Sequence, residues 1–317
     1  MFKNFQFNIR TLCHRIYLKI RLRLKDPYII HNIFQRLKNR KYRVYQFKDE
    51  ITKKILFAPT LLQSDAGLII LNFNDLYKKI SSILNKNSIV LDVGGNIGYV
   101  SRAFSIFGNN FDIICLEPNI KNLSFASKNL SDLKNVSLYQ IGLSNQTGRF
   151  DLNLPQYTKK RKGEKKYNTG LITAIGNETK YGTRFFKGDK LIKFLEIDIK
   201  KLSYIKIDVE GFEKNVIEGF QDTLQNCNAI CEVEINPRGM YASGSNLKEI
   251  ISIMKNLSYI PLVESKVNDG YIKNLKVFNI FFSKIITKDK LINNLRFKEL
   301  KNIDIQKYMD KFQKLYT

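Results

Sequence analysis

Histidine is almost absent from this chain: only His14 and His31 occur in 317 residues, and both fall in a basic N-terminal stretch. Acid–base chemistry built on imidazole is therefore not expected, and carboxylates are the available bases. Cysteine is sparse as well. Cys13, Cys115, Cys227 and Cys231 show no zinc-type CxxC spacing, and Cys115 and Cys231 lie inside apolar strand patterns. Buried free thiols in a reducing compartment are the expectation. No run approaches the ~18 apolar residues of a membrane span. The opening MFKNFQFNIR lacks the apolar core of a secretion signal. Together these absences lead to the expectation of a cytoplasmic protein, and no internal repeat is present.

Acids are the scarce charge: 29 Asp and Glu face 53 Lys and Arg, for a net +24. Such an imbalance draws phosphates, acidic glycans or an anionic membrane face. The joint richness in Lys, Asn and Ile is equally what A- and T-biased coding produces, so the charge has two readings. Residues 1–48 carry thirteen Lys or Arg against a single acid, Asp26, interleaved with Ile9, Leu12, Ile16, Ile20, Leu22 and Leu24. This pattern predicts a basic, partly amphipathic helical arm that packs on the core or lies on anionic lipid at the inner face of a membrane. Nucleic acid is less favoured, because no RNA-binding signature accompanies it. Strand-like alternation over 41–60 about Asp49-Glu50 predicts a hairpin, and 75–84 reads as a helix. The extension therefore covers residues 1–84.

What is present is a βαβ rhythm. Ser88–Val93 is an apolar strand, Gly94 and Gly95 open a turn, and Tyr99, Val100, Ala103, Phe104 and Phe107 follow at helical spacing. A second strand, Ile113–Leu116, ends at Glu117-Pro118. Helix 120–130, strand 136–141 and the turn Gly142-Leu143-Ser144 continue the pattern. The rhythm breaks over 145–202, an expected insertion carrying a short strand (149–154) and the charged loop TKKRKGEKKYNTG. It resumes with YIKIDVEG (204–211), a helix over 213–220, AICEVE (229–234), a helix over 246–257 and closing strands at 259–263 and 277–282. The core is thus placed at 85–285 and a Lys-rich helical tail at 286–317. The class is α/β, with ligands expected where the strand ends converge at a topological switch point.

The residues Asp92 to Gly98 form the frame D-x-G-x-N-x-G, in which the dinucleotide fingerprint fails at Asn96 and Tyr99. A glycine turn at a helix N-terminus still presents backbone N–H groups to a carboxylate or phosphate. Glu117, about 25 residues beyond Asp92, is placed for two ribose hydroxyls. An adenine would lie near Pro118 and receive backbone bonds around Gly142 and Leu143. S-adenosylmethionine meets those demands, with Asp92, Gly94, Gly95, Asn96, Gly98, Glu117, Pro118, Gly142 and Leu143 as its expected contacts. At the fourth core strand, Asp208 and Glu210 stand two apart beside Gly211. Either serves as base or acceptor anchor, and Lys206 shares their face and orients one of them. The competing structural reading makes Asp208 a helix cap. Glu232, Glu234 and Asn236, at the next strand end, are expected to hold substrate hydroxyls. Four carboxylates could attract Mg²⁺, but no Asp-Asp-Asn type cluster is evident, and no metal site is expected.

VLDVGGNIGYVS, CLEP and IKIDVEGFEKNVIEGF together resemble the FkbM-type S-adenosylmethionine-dependent methyltransferases over about residues 88–236. Gly95 departs from the alanine more usual in that family. The resemblance implies a Rossmann-like class I methyltransferase fold, a doubly wound and mostly parallel sheet. It also implies methylation of a hydroxyl on a sugar, glycan, glycolipid or polyketide-like acceptor. Two other functions fit the chain less fully: an RNA methyltransferase drawn by the net charge, and a non-catalytic module that keeps the fold.

Overall fold

The computed structural model describes residues 44–59, 75–153, 173–178, 182–265 and 277–316, with isolated positions between 63 and 71 and at 267. The chain divides into two units, 1–75 and 76–317. In the first, β1 (Tyr45–Lys48) pairs antiparallel with β2 (Ile55–Ala58), which is the hairpin expected there. Asp49 closes its turn by accepting the Ile51 N–H at 3.0 Å and the Thr52 hydroxyl at 2.6 Å. The rest of the expected basic arm, its assigned membrane contact, and His14, His31 and Cys13 lie outside the described residues.

The second unit opens with α1 (Leu76–Ile83), β3 (Ile89–Val93), α2 (Tyr99–Phe107), β4 (Asp112–Leu116), α3 (Ile120–Leu130) and β5 (Val136–Tyr139). Four short strands follow: β6 (Gly142–Ser144), β7 (Gly148–Asn153), β8 (Thr173–Glu178) and β9 (Thr183–Lys187). Next come α4 (Gly188–Phe194), β10 (Leu202–Ile207), α5 (Glu213–Gly219), α6 (Gln221–Asn226), β11 (Ile230–Ile235) and α7 (Pro237–Ala242). The chain ends with α8 (Leu247–Asn256), β12 (Ile260–Glu264), β13 (Phe278–Ser283), α9 (Ile285–Leu295), β14 (Phe297–Glu299) and α10 (Asn302–Tyr316).

The main sheet runs β14-β12-β13-β11-β10-β3-β4-β5. Strands β5, β4, β3, β10 and β11 are mutually parallel, and β13 is antiparallel to both its neighbours. All five residues of β3 are buried, as a central strand covered on both faces requires. The chain winds outward from β3 to β5 and returns to β10 on the other side. The switch point therefore lies between β3 and β10, and the crevice beyond their carboxyl ends is where such a sheet can hold a ligand.

One face is covered by a large apolar cluster that includes Leu191, Val216, Ile217, Phe220, Ile250, Met254 and Tyr308. On the other, the rings of Tyr77, Phe104 and Tyr204 pack in series, edge-to-face at 5.3 Å and tilted at 4.8 Å. Asparagines cap three of the helices: Asn119 accepts from Lys121 N, Asn236 from Gly239 N, and Asn246 forms a reciprocal capping box with Glu249. Each such cap contributes about 1 kcal/mol. Cys115, Cys227 and Cys231 are free and buried, as expected.

The structure revises two readings of the sequence. Gly142–Ser144 is not a turn but the strand β6, paired in parallel with β9 to build a second sheet, β6-β9-β7-β8. The missing Cβ of Gly142 makes that pairing possible, since it would stand 2.2 Å from the Phe185 ring. Phe150 and Phe185 give this sheet its own small core, with Leu152 and Phe212 against it. The 286–317 segment is likewise not a plain helical tail. β14 joins the sheet edge beside β12, and Ile305, Tyr308 and Phe312, spaced at helical intervals on α10, are buried. The charged stretch 158–170 lies outside the described residues.

Candidate active site

The turn after β3 depends on residues that tolerate a left-handed backbone: Gly94 has φ 82°, Asn96 52° and Gly98 87°. A Cβ at Gly94 would stand 2.0 Å from the Asp208 carbonyl oxygen, so this turn and the segment after β10 touch backbone to backbone. Asp92 lies beneath the turn. Its Oδ2 accepts the Ser101 N–H at 3.1 Å and the Ser101 hydroxyl at 2.6 Å, which pins the first turn of α2 under the glycines. Burial raises its pKa.

Glu117 closes the other side. Its Oε2 accepts the Asn96 N–H at 2.8 Å and its Oε1 accepts the Asn119 N–H at 2.7 Å. The turn after β3 and the segment after β4 are thus tied through one buried carboxylate. Desolvation pushes its pKa up to about 8 despite these donors.

Between these elements lies a cleft with about 700 Å³ of empty space, its open mouth included. Gly94, Asn96, Glu117 and Pro118 line one end, Ile141 to Leu143 a side, and Leu152, Phe185 and Phe212 an apolar wall. Asp208, Glu210 and Glu234 line it as well. A buried carboxylate at a strand end, a glycine turn opening a helix and an apolar slot beside Pro118 match the ribose, amino-acid and adenine parts of S-adenosylmethionine. The residues present therefore fit that group, with Glu117, Asn96, Gly94, Pro118, Gly142 and Leu143 in position to hold it.

Not every expected contact reaches the cleft. Asp92, Gly95, Gly98, Lys206, Glu232 and Asn236 are absent from its lining. Gly95 packs on Cys115, whose Sγ stands 2.2 Å from where a Cβ would be. Glu232 is wholly buried below the cleft and accepts the Tyr204 hydroxyl at 2.7 Å, the Tyr77 hydroxyl at 3.5 Å and the Asn279 amide. That carboxylate is committed to the sheet face and does not meet a substrate.

The acids that do converge are Asp208, Glu210 and Glu234, each offering an oxygen within 4.8 Å of the others. Strand β10 ends at Ile207, and Glu210 lies in the following turn with φ 56°. The expected strand alternation does not bring Asp208 and Glu210 together; the turn does. Lys206 donates to Asp208 Oδ2 at 2.5 Å. Its register neighbours on both sides are Asp92 and Glu232. Burial pulls its pKa down, but Asp208, Glu232 and Asp92 outweigh that and hold it above the ordinary value. Asn236 donates to Glu210 Oε2 at 2.8 Å. Burial, with Asp208 beside it, raises Glu210 to about 8, and burial with the same neighbours raises Glu234 well above the usual range. Two ionised carboxylates within 4.8 Å repel by at least about 3 kcal/mol at an effective dielectric of ~20. The cluster therefore takes up protons readily, and it can receive the proton of a hydroxyl.

Sequence reasoning missed Glu213. The cap considered for Asp208 is not made, since no side chain caps α5; Glu213 Oε1 instead accepts the N–H groups of Val209 at 3.1 Å and Gly211 at 3.0 Å in the turn before the helix. The available signal was an acid in the first turn of α5. The walls Leu152 and Phe185 were also missed, because they come from an insertion without a motif, and Phe212, though inside the segment IKIDVEGF, joins the wall only through its packing on them.

A family model described as the Methyltransferase FkbM domain matches residues 92–261. The 2-O-methyltransferase NoeI of Sinorhizobium fredii (strain NBRC 101917 / NGR234) is 22% identical over 211 residues, covering 64% of this chain and 86% of that protein. Among solved structures, methyltransferase FkbM from Methylobacillus flagellatus KT has a TM-score of 0.41 at 15% identity, covering 65% of this chain. This chain spans 47% of that protein's length. A SAM-dependent methyltransferase from Aquifex aeolicus has a TM-score of 0.38 at 12% identity, covering 71% of this chain and 96% of that one. With the family model spanning more than half its length, the chain belongs to the FkbM methyltransferase family and is an S-adenosylmethionine-dependent enzyme.

Proposed function

We propose that the enzyme methylates a hydroxyl of a sugar unit in a glycan or glycolipid. The observation that carries this reading is the acid cluster of the cleft, where Asp208, Glu210 and Glu234 present converging oxygens. Polyol acceptors are recognised through hydroxyl donors, for which carboxylates are natural acceptors. That the relative NoeI is a 2-O-methyltransferase supports the same reading.

Bound S-adenosylmethionine supplies an electrophilic methyl group. The chain supplies position and a proton acceptor. Glu117 and the turn at Gly94 fix the cofactor end, while Glu210 and Glu234 align the acceptor hydroxyl. Asp208, oriented by Lys206, takes the hydroxyl proton as the oxygen attacks. The apolar wall of Leu152, Phe185 and Phe212 excludes water beside the reacting oxygen.

The basic stretch 1–48 is proposed to bring the enzyme to an anionic membrane face where lipid-linked acceptors are made. Among the described residues no helix is long and apolar enough to cross a membrane. Liposome co-sedimentation with and without residues 1–40 tests this, and equal association would remove it.

The decisive experiment is incubation with methyl-labelled S-adenosylmethionine and a fractionated extract. Alkali-stable label in a carbohydrate or glycolipid fraction is expected. Label in RNA instead, with binding that falls steeply with salt, would overturn the sugar assignment.

A further inference from the structure

Asn236 does not line the cleft, yet it reaches Glu210, which does. It joins β11 to α7 and is buried. Its amide has two partners of opposite kind. Nδ2 donates to Glu210 Oε2 at 2.8 Å, and Oδ1 accepts the Gly239 N–H at 3.3 Å. A backbone N–H can only donate, and an ionised carboxylate can only accept. Turning the amide over would set N–H against N–H at Gly239 and oxygen against oxygen at Glu210, so the two bonds together fix one orientation. The carboxylate held in this way stands on a left-handed turn, with φ 56° at Glu210 and 106° at Gly211. The first turn of α7 presses on that backbone. A Cβ on Gly211 would stand 2.2 Å from the Gly239 carbonyl carbon, and one on Gly239 2.6 Å from the Glu210 carbonyl oxygen. At the far end of α7, the Ser243 hydroxyl donates to the Gly211 carbonyl oxygen at 2.5 Å.

We propose that Asn236 is a positioning residue, which ties up Glu210 Oε2 so that Oε1 is the oxygen offered to the acceptor hydroxyl. Neighbouring groups do not supply this hold. Among the described residues Asn236 alone donates to Glu210. Lys206 is committed to Asp208 Oδ2, while Glu213 holds the Val209 and Gly211 N–H groups, which belong to the backbone of the turn. The bond also confines any proton on Glu210 to Oε1, because Oε2 already faces a donor. An amide is the residue type this demands. Aspartate at 236 could cap α7 equally well but has nothing to donate to Glu210. The proposal rests on the hydroxyl-transfer reading only for what Oε1 meets, and the hold on Glu210 is independent of it.

The test compares the full chain with its Asn236→Asp variant, which keeps a capping oxygen for Gly239 and removes the donor. Asn246→Asp, the matching change at the cap of α8, is the control. Glutamate labelled at its carboxyl carbon reports Glu210 by nuclear magnetic resonance, with Glu210→Gln identifying the signal. Burial, Asp208 and Glu213 raise Glu210 to about 8, Asn236 and Lys206 lower it, and Glu234 stands beside it. Asn236→Asp removes one lowering contact and adds a carboxylate, so the midpoint should rise by at least about one pH unit, and Asn246→Asp should leave it in place. With the carbohydrate fraction that takes up label as acceptor, kcat should fall about 10–100-fold at unchanged S-adenosylhomocysteine affinity. Adding Glu210→Gln to Asn236→Asp exchanges donor and acceptor, restores the bond and keeps an accepting oxygen for the hydroxyl. This double variant should turn over about tenfold faster than Asn236→Asp, a recovery that a merely structural role would not give. An unmoved Glu210 midpoint, or a double variant no faster than Asn236→Asp, overturns the proposal. A raised midpoint with no label in any carbohydrate fraction supports the hold on Glu210 and sinks the acceptor class alone.

Discussion

Lys206 Nζ lies 2.5 Å from Asp208 Oδ2 while its strand neighbours in register are Asp92 and Glu232, so one buried ammonium serves an acid just past its own strand and one on each adjacent strand.

Replacing that ammonium leaves buried charge behind. Lys206→Met is expected to cost about 3–5 kcal/mol, toward the lower figure because Asp208 is 30% exposed. Urea unfolding measures it. A loss below about 1 kcal/mol would mean that the carboxylates are neutral without the lysine.

Glu117 makes the unliganded protein sensitive to pH. Its folded pKa of about 8 stands above the ordinary 4.5. Its contribution to stability is thus fully present below the unfolded value and is lost as pH rises through the folded one. Glu117→Gln should therefore gain roughly 2 kcal/mol on the parent between about pH 6 and about pH 8. The same variant should bind S-adenosylhomocysteine more weakly at every pH. Parallel stability curves would contradict the burial of an ionisable group here.

Glu213 should matter to turnover more than to cofactor binding, since it holds the Val209 and Gly211 amides and not the cleft. Glu213→Ala is expected to cost about 1–3 kcal/mol of stability and to lower kcat with little change in S-adenosylhomocysteine affinity. Glu213→Gln, which keeps an accepting oxygen, should restore most of the rate. Equal loss in both variants would point to a structural role only.

Gly95 and Cys115 should behave as a pair. Gly95→Ala drives a methyl group toward Cys115 Sγ and is expected to cost about 1–3 kcal/mol. In a Cys115→Ala background the cost should shrink, giving a coupling of at least ~0.5 kcal/mol in a double-mutant cycle. Strict additivity would show that the clash is relieved elsewhere.

Much of this was readable from the chain. β3, α3 and α5 fall where apolar periodicity placed them, because long buried patterns carry their own signal. The acid at Glu117 was identifiable because a crossover helix sets its separation from β3. What escaped depended on contacts distant in sequence. β6 is three residues long and exists only because β9 pairs with it some forty residues later. Glu232 and Glu234 look alike in the sequence, yet Tyr204 and Tyr77 claim the first and leave the second facing the cleft. Glu210 obeys no strand alternation, since its backbone has already turned left-handed.

The small core around Phe150 and Phe185 is separate from the large cluster beneath the main sheet. It shapes one wall of the cleft without supporting the glycine turn or Glu117. Changes in β7 and β9 can therefore reshape that wall while the glycine turn and Glu117 stay in place, but β6 of the same sheet carries Gly142 and Leu143 and ties the panel to the cofactor end. A single methyl-donor scaffold can thereby present differently shaped walls to the molecule that enters beside it.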